Sequence, residues 1–198
     1  MSSSSTMSGE EIVRRAIQES IDVEAELLEQ FVPTIAELAA LLVRAFRAGH
    51  KVVLFGNGGS AADAQHVAAE LVNRFVVDRD ALPAIALSTN TSVLTSVAND
   101  TAFEQVFARQ VQALVQEGDV AVGISTSGNS PNVLKGILAA TEKGAVALGF
   151  TGRSGGKLKE LVDICFCVPS HSTPRVQEAH ITAWHAICEV VEQELFGE

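Results

Sequence analysis

The chain has 198 residues, 47% of them apolar and 19% charged, with 14 Lys+Arg against 24 Asp+Glu for a formal net charge of −10. That length fits one domain and excludes two full ones, the apolar fraction excludes a disordered or fibrous chain, and the acidic balance leaves no basic field for nucleic acid. The longest apolar run in the helical region, Leu38 to Val43, is far short of the about 20 residues needed to cross a bilayer, so a soluble protein with no membrane partner is expected.

Residues 1–9, Ser-rich and without the basic and apolar regions of a secretory signal, are set aside as a disordered leader, leaving 10–198 as a single domain. From Glu10 onward apolar residues recur at helical spacing (Ile12, Ala16, Ile21, Leu27, then Ile35, Leu38, Leu42, Phe46), which predicts a pair of helices broken near Val32-Pro33. Their apolar faces suit either an oligomer contact or packing on a sheet.

Beyond His50 the pattern becomes short β-rich runs alternating with helical stretches. Five strands are predicted, at Lys51–Phe55, Pro83–Leu87, Asp119–Ile124, Ala145–Phe150 and Asp163–Val168. Helices are expected at Ser60–Val77, Ser92–Val115 and Ser130–Lys143, with a short one near Gly156–Leu161 and a last one from Pro174 to Leu195. This alternation implies right-handed crossovers and an α/β fold, a doubly wound five-stranded parallel sheet flanked by helices. Runs such as Val52-Val53-Leu54-Phe55 are apolar on both alternating faces, as a sheet covered on both sides requires. Ligands of such folds bind at the carboxyl ends of the strands.

Two loops stand at such ends. Gly56-Asn57-Gly58-Gly59-Ser60-Ala61 follows the first strand and opens a helix, with Ser60 and Asp63 placed for a capping box. Its glycines admit a ligand to the backbone, but the second strand ends Leu87-Ser88-Thr89-Asn90, without the acid that a dinucleotide site needs. A tight turn with a helix cap explains the loop equally well. After the third strand comes Ser125-Thr126-Ser127-Gly128-Asn129-Ser130-Pro131. Ser130 reads as a helix N-cap and Pro131 as the first helical residue, so free amides face a hydroxyl-rich loop, a recipe for a phosphate monoester.

His66 and Glu70 are i,i+4 on the helix after the glycine loop. On the last helix Gln177, Glu178, His180 and His185 offer further nitrogen and oxygen ligands of the kind zinc accepts. Helical geometry places Gln177 and His185 about 80° apart and Glu178 nearly eclipsed with His185, so spacing alone leaves the choice open. His180 aligns with Trp184, Ile187 and Val191 and reads as a core histidine. The three cysteines, Cys165, Cys167 and Cys188, form no Cys-x-x-Cys pair and read as reduced, packed thiols, which suits the cytoplasm.

In the segments Phe55 to Glu70, Leu82 to Leu87, Ala98-Asn99-Asp100, Gly123 to Ser130, Leu148 to Gly156 and Val176 to His185, in this order, the chain resembles the phosphoheptose isomerases of the sugar isomerase (SIS) superfamily. The resemblance covers nearly everything after Glu10. It implies a flavodoxin-like SIS fold, conversion of sedoheptulose 7-phosphate to D-glycero-D-manno-heptose 7-phosphate, and a homotetramer with shared active sites. Carried over by position, it implies one zinc ion per subunit on His66, Glu70, Gln177 and His185. It further implies substrate contacts from Asn57, Gly58, Gly59, Ser60, Glu70, Asn99, Asp100, Ser125, Thr126, Ser127, Ser130 and Gln177. The chain departs from the family pattern at Ser154, in a loop where members often carry an acid. Isomerisation through an enediolate needs a carboxylate base and a proton donor, roles that fall on Glu70 and His185. Asn73-Arg74-Phe75 and Leu94 to Asp100 are also similar to a non-catalytic SIS regulator that associates with DnaA, but such regulators look like isomerases without the acid–base pair. An isomerase of another sugar phosphate is the remaining alternative.

Overall fold

The computed structural model describes residues 7–197. Two helices, α1 (Gly9–Gln30) and α2 (Val32–Arg47), precede a five-stranded sheet. The strands are β1 (Val52–Gly56), β2 (Ala84–Ala86), β3 (Val120–Ser125), β4 (Val146–Thr151) and β5 (Ile164–Cys167). Between them lie α3 (Gly59–Val72), α4 (Thr91–Asp100), α5 (Val106–Leu114) and α6 (Pro131–Glu142), with 3-10 turns at Phe103–Gln105 and Leu158–Glu160, and α7 (Thr173–Phe196) closes the chain. All strand pairs are parallel and the order is β2-β1-β3-β4-β5. The doubly wound fold read from the sequence is therefore the fold observed.

Alternation within the strands divides the core. Val52, Leu54, Val122, Ile124, Leu148 and Phe150 face α2, α3 and α7, whereas Val53, Phe55 and Ala121 face α5 and α6. Each face is a continuous apolar layer, which accounts for the missing polar alternation in the strands.

Three sequence expectations need correction. The helix expected over Ser92–Val115 is two helices, separated by Thr101, whose hydroxyl donates to the Val97 carbonyl at 2.7 Å, and by Ala102 in extended conformation. Short polar side chains in Asn99-Asp100-Thr101 compete with the helical ladder and end it. The helix expected to reach Val77 stops at Val72: Asn73 N–H still donates to the Ala69 carbonyl, but the amides of Phe75, Val76 and Val77 donate to the Glu192 carboxylate at 2.8, 2.8 and 2.9 Å. The Ser60–Asp63 capping box does not form: Gly58 is the N-cap of α3, and Ser60 is buried inside the first turn. A real capping box occurs at α1, where Ser8 and Glu11 exchange hydrogen bonds. That helix thus begins at Gly9, and residues 1–6 of the expected leader lie outside the described residues.

Helix α1 buries only Leu27. It docks on α7 through polar contacts, Ser20 to Glu178 at 2.9 Å and Thr182 to Glu24 at 3.1 Å. Ile12, Val13, Ile17 and Ile21 stay 46–58% exposed on it, and Leu28 is 75% exposed. The break between α1 and α2 falls at Phe31, and Pro33 sits in the first turn of α2, where its missing N–H costs nothing.

His180 lies in the core as its stripe implies. Its Nε2 faces the Thr151 carbonyl at 3.1 Å, and its ring is edge-on to Phe150. The carbonyl can only accept, so Nε2 carries the proton and the unpartnered Nδ1 stays bare. Burial holds its pKa down at about 4, against the smaller upward pull of the Thr151 carbonyl. An unfolded histidine titrates near 6.5. Protonation therefore favours unfolding: the stability from neutral His180 is complete above about pH 6.5 and falls towards pH 4, by about 3 kcal/mol across the window. Denaturation midpoints of the native chain should drop over that range, and those of His180→Gln, although lower at pH 7, should follow a flatter pH profile.

Candidate active site

In the order β2-β1-β3-β4-β5 the strand order reverses between β1 and β3, the switch point at whose carboxyl ends folds of this class have their ligand crevice. Gly56 pairs in register with Ile124, which places the two loops singled out in the sequence, those following β1 and β3, side by side. A Cβ on Gly56 would stand 2.7 Å from the Ser60 Cβ and 2.8 Å from the Ile124 carbonyl oxygen, so only glycine lets α3 start this close to β3. Gly58, at φ +55°, makes the turn into α3. The amino ends of α3 and α6 both open at this crevice, and their free amides carry partial positive charge.

Asn57 and Asn132 lock the loops together. Each side-chain amide donates to the other's carbonyl, at 2.9 and 2.8 Å, and Asn132 is buried. Ser130 is the N-cap of α6 and Pro131 its first residue, as the sequence implies. Its hydroxyl does not cap the helix but meets the Ser125 hydroxyl at 2.9 Å, and Ser127 lies 3.5 Å from Ser125. Three hydroxyls thus cluster beside a helix start, with Thr126 partly open to solvent between them.

The second cluster joins α3 to α7. Nε2 of His66 faces Nε2 of His185 at 3.0 Å, and Glu70 Oε1 lies 3.5 Å from the same His66 nitrogen. The Gln177 amide lies against Gly59, where a Cβ would collide with it, so Gln177 stands at the mouth of the glycine loop. Glu178, which spacing left open, turns away to Ser20 and Arg175. Burial raises the pKa of Asp63, one turn before His66, with a smaller opposing pull from His66 itself. Its Oδ2 is buried without a partner.

Asn99 and Asp100 are not brought to these clusters within one chain. Both are exposed at the end of α4, where Asn99 donates to Asp100 at 2.8 Å, and Asp100 lines a cleft of about 590 Å³ with Ser96, Arg109 and Gln112.

Phe75, Arg79 and Glu192 also shape the site, and no motif in the sequence assigns them to it. The Phe75 ring stacks on His185 with centroids 5.5 Å apart. Arg79 donates to the Glu70 and Leu71 carbonyls at the end of α3, each at 2.8 Å, and its Nε is 2.9 Å from Glu192. An Arg in a loop and a Glu near the chain end carry no local pattern that reveals such a pairing.

Two imidazoles, a carboxylate and an amide form a donor set that suits zinc in kind. Among the described residues, no three His, Cys, Asp or Glu side chains stand in metal-holding geometry.

A doubly wound parallel sheet with glycine and serine loops at its switch point is an SIS architecture, and residues 15–152 match the SIS domain family. The chain is 54% identical over 182 residues to the phosphoheptose isomerase of Roseiflexus sp. (strain RS-1), covering 92% of each chain. Two solved phosphoheptose isomerases share its fold. That of Neisseria gonorrhoeae is 41% identical with a TM-score of 0.89, and that of Francisella tularensis is 35% identical with a TM-score of 0.92. In both cases the match covers 94% of this chain and 100% of the other. The chain belongs to the phosphoheptose isomerase family of SIS-domain proteins, and it is an isomerase.

Proposed function

We propose that the protein converts sedoheptulose 7-phosphate to D-glycero-D-manno-heptose 7-phosphate through an enediolate, the first step toward ADP-heptose and the lipopolysaccharide core. The observation that carries this reading is the pairing of the hydroxyl-lined crevice with the Glu70–His66–His185 cluster, about two to three helical turns along α3 from Gly59. The phosphate would take the Ser125, Thr126, Ser127 and Ser130 hydroxyls and the amides at the start of α6, with Asn57, Gly58, Gly59 and Ser60 across the crevice.

Glu70 takes the proton from the carbon beside the carbonyl and returns it to the former carbonyl carbon. His185, its ring held by Phe75, moves the proton between the two sugar oxygens. Gln177, at the mouth of the glycine loop, orients the sugar. His66, Glu70, Gln177 and His185 would hold one zinc ion per subunit. When bound, zinc would supply electrostatic stabilisation of negative charge on the sugar oxygens.

The assembly we infer is a homotetramer with shared active sites, acting in the cytoplasm. It is supported by the bare apolar stripe of α1 and by Asn99 and Asp100, which face solvent in a single chain although the family resemblance gives them substrate contacts. No helix of the described residues is long and apolar enough to cross a membrane.

The test is NMR of sedoheptulose 7-phosphate incubated with the protein in deuterated water, with and without a chelator. The aldoheptose phosphate should form with deuterium at the exchanged carbon. Chelation should slow it, and the same preparation should sediment as four chains. Absence of product from folded, zinc-supplied protein would overturn the assignment in favour of a non-catalytic SIS protein or another sugar phosphate.

A further inference from the structure

At the opposite edge of the sheet β5 presents Cys165 and Cys167 on one face, with their sulfurs 3.4 Å apart. Across the strand pair, Thr151 Oγ1 lies 3.3 Å from the Cys167 sulfur and 3.7 Å from that of Cys165. The residue in register with Cys165 is Gly149, and the absent side chain there leaves room for the thiol. Unlike Cys188, which is buried, both residues are partly exposed. Packed as the sequence suggests, they also form a facing dithiol on a partly exposed edge strand. The contact between the two sulfurs, with Thr151 donating to Cys167 and Lys159 nearby, lowers the pKa of Cys167 against burial and raises that of Cys165.

A disulfide suits this pair poorly. Residues i and i+2 of a strand have Cα atoms about 6.6 Å apart, at the upper limit for a bridge. A chelate is different. Bonds of about 2.3 Å from a soft centre to each sulfur span a 3.4 Å separation at a bite angle of roughly 95°. Two sulfurs with one hydroxyl fall short of the four ligands of a structural zinc site, so the occupant is a centre content with two thiolates.

We propose that Cys165 and Cys167 form a chelating site for trivalent arsenic. With phenylarsine oxide the Cys167 thiol adds to arsenic and the Cys165 thiol follows. Two As–S bonds form, the As=O bond is lost, and both thiol protons leave with its oxygen as one water. Arsenic stays trivalent, so neither oxidant nor reductant is consumed.

The site is coupled to the crevice through Gly155. A Cβ built on Gly155 lies 3.1 Å from the Cys167 sulfur, so the 152–156 loop rests directly on the thiol. That loop braces the hydroxyl-rich loop: Gly152 N–H donates to the Thr126 carbonyl and Leu158 N–H to the Gly128 carbonyl, both at 2.9 Å. Gly128, at φ +65°, packs against the Gly155 carbonyl so closely that no side chain fits. An arsenic atom over Cys167 displaces Gly155 and with it the brace. This consequence for catalysis rests on the isomerase reading; binding does not.

Intact-mass measurement of the native protein with phenylarsine oxide should show one adduct per chain, weighing the arsenical less one water. Thiol titration should show two groups lost. The adduct should survive an excess of monothiol, be removed by 2,3-dimercaptopropanol, and persist in Cys188→Ser. Either Cys165→Ser or Cys167→Ser should abolish the monothiol-resistant adduct. No adduct on the native chain, or a resistant adduct in either single variant, overturns the site. In the isomerase assay the adduct should raise KM for the sugar phosphate more than it lowers kcat, with recovery on dimercaptopropanol. An adduct with unchanged kinetics overturns the coupling, whereas absence of activity before treatment speaks against the isomerase reading alone.

Discussion

Glu70→Gln should lower isomerisation of sedoheptulose 7-phosphate by about 10²- to 10⁴-fold, the usual contribution of a positioned general base. The substitution keeps the shape and one acceptor but removes the group that accepts a proton from carbon. The surroundings isolate the chemical effect well. The Glu70 side chain is 23% exposed, so its loss leaves no buried charge unpaired, and the end of α3 is held through the Glu70 backbone carbonyl by Arg79, a contact the variant retains. Stability, assembly and sugar-phosphate affinity should stay near native values. The measurement is deuterium incorporation followed by NMR, with isothermal titration of the sugar phosphate as the control for binding. Near-native turnover in the variant would remove Glu70 from the role of base.

The second large effect is on stability. Arg79 and Glu192 have side chains only 1% and 3% exposed. Burial would raise the Glu192 pKa, but the amides of Val77, Phe75 and Val76 and the Arg79 side chain outweigh it and hold the carboxyl below the ordinary range. Removing one partner of such a pair strands the other in the core, at a cost of about 3–5 kcal/mol. Glu192→Ala also leaves three amides without an acceptor. Urea denaturation should register a loss of that size for Glu192→Ala and for Arg79→Met. The double variant should lose less than the sum of the two. Because the same network carries Phe75 to its place against His185, any folded Glu192→Gln protein should show reduced kcat with KM less affected. Equal, small and additive losses would mean that the pair is solvated and not a buried clamp.

How much of this was legible in the chain follows from the range of the interactions involved. Strands flanked by apolar residues on both sides, glycine and serine loops after the first and third strands, and a proline opening α6 are local patterns, and they established the doubly wound fold and the crevice loops. The Ser92–Val115 stretch misled because apolar periodicity continues across Asn99-Asp100-Thr101 while the backbone there is claimed by side chains. The Ser60–Asp63 box misled for a related reason: the spacing is right, but the close approach of α3 to β3 at Gly56 buries Ser60, so Gly58 becomes the cap.

The sequence by itself determined the class of fold, the glycine and serine loops at the strand ends and, through ordered family motifs, the isomerase family. It also placed His66 and Glu70 on one helical face, because an i,i+4 relation is set by the helix alone. Spacing left His185 and Glu178 open and the family resemblance pointed to His185; the tertiary structure gives the reason it is His185 that meets His66, since α7 is fixed in rotation by Glu178 turning to Ser20 and His180 sinking under Thr151. It alone brought Glu192 to the amides after α3, 115–117 residues away in the chain, and turned two cysteines into a facing pair over Thr151. Those contacts depend on how distant elements pack, a choice made by the apolar core as a whole that leaves no signature at the polar residues it brings together.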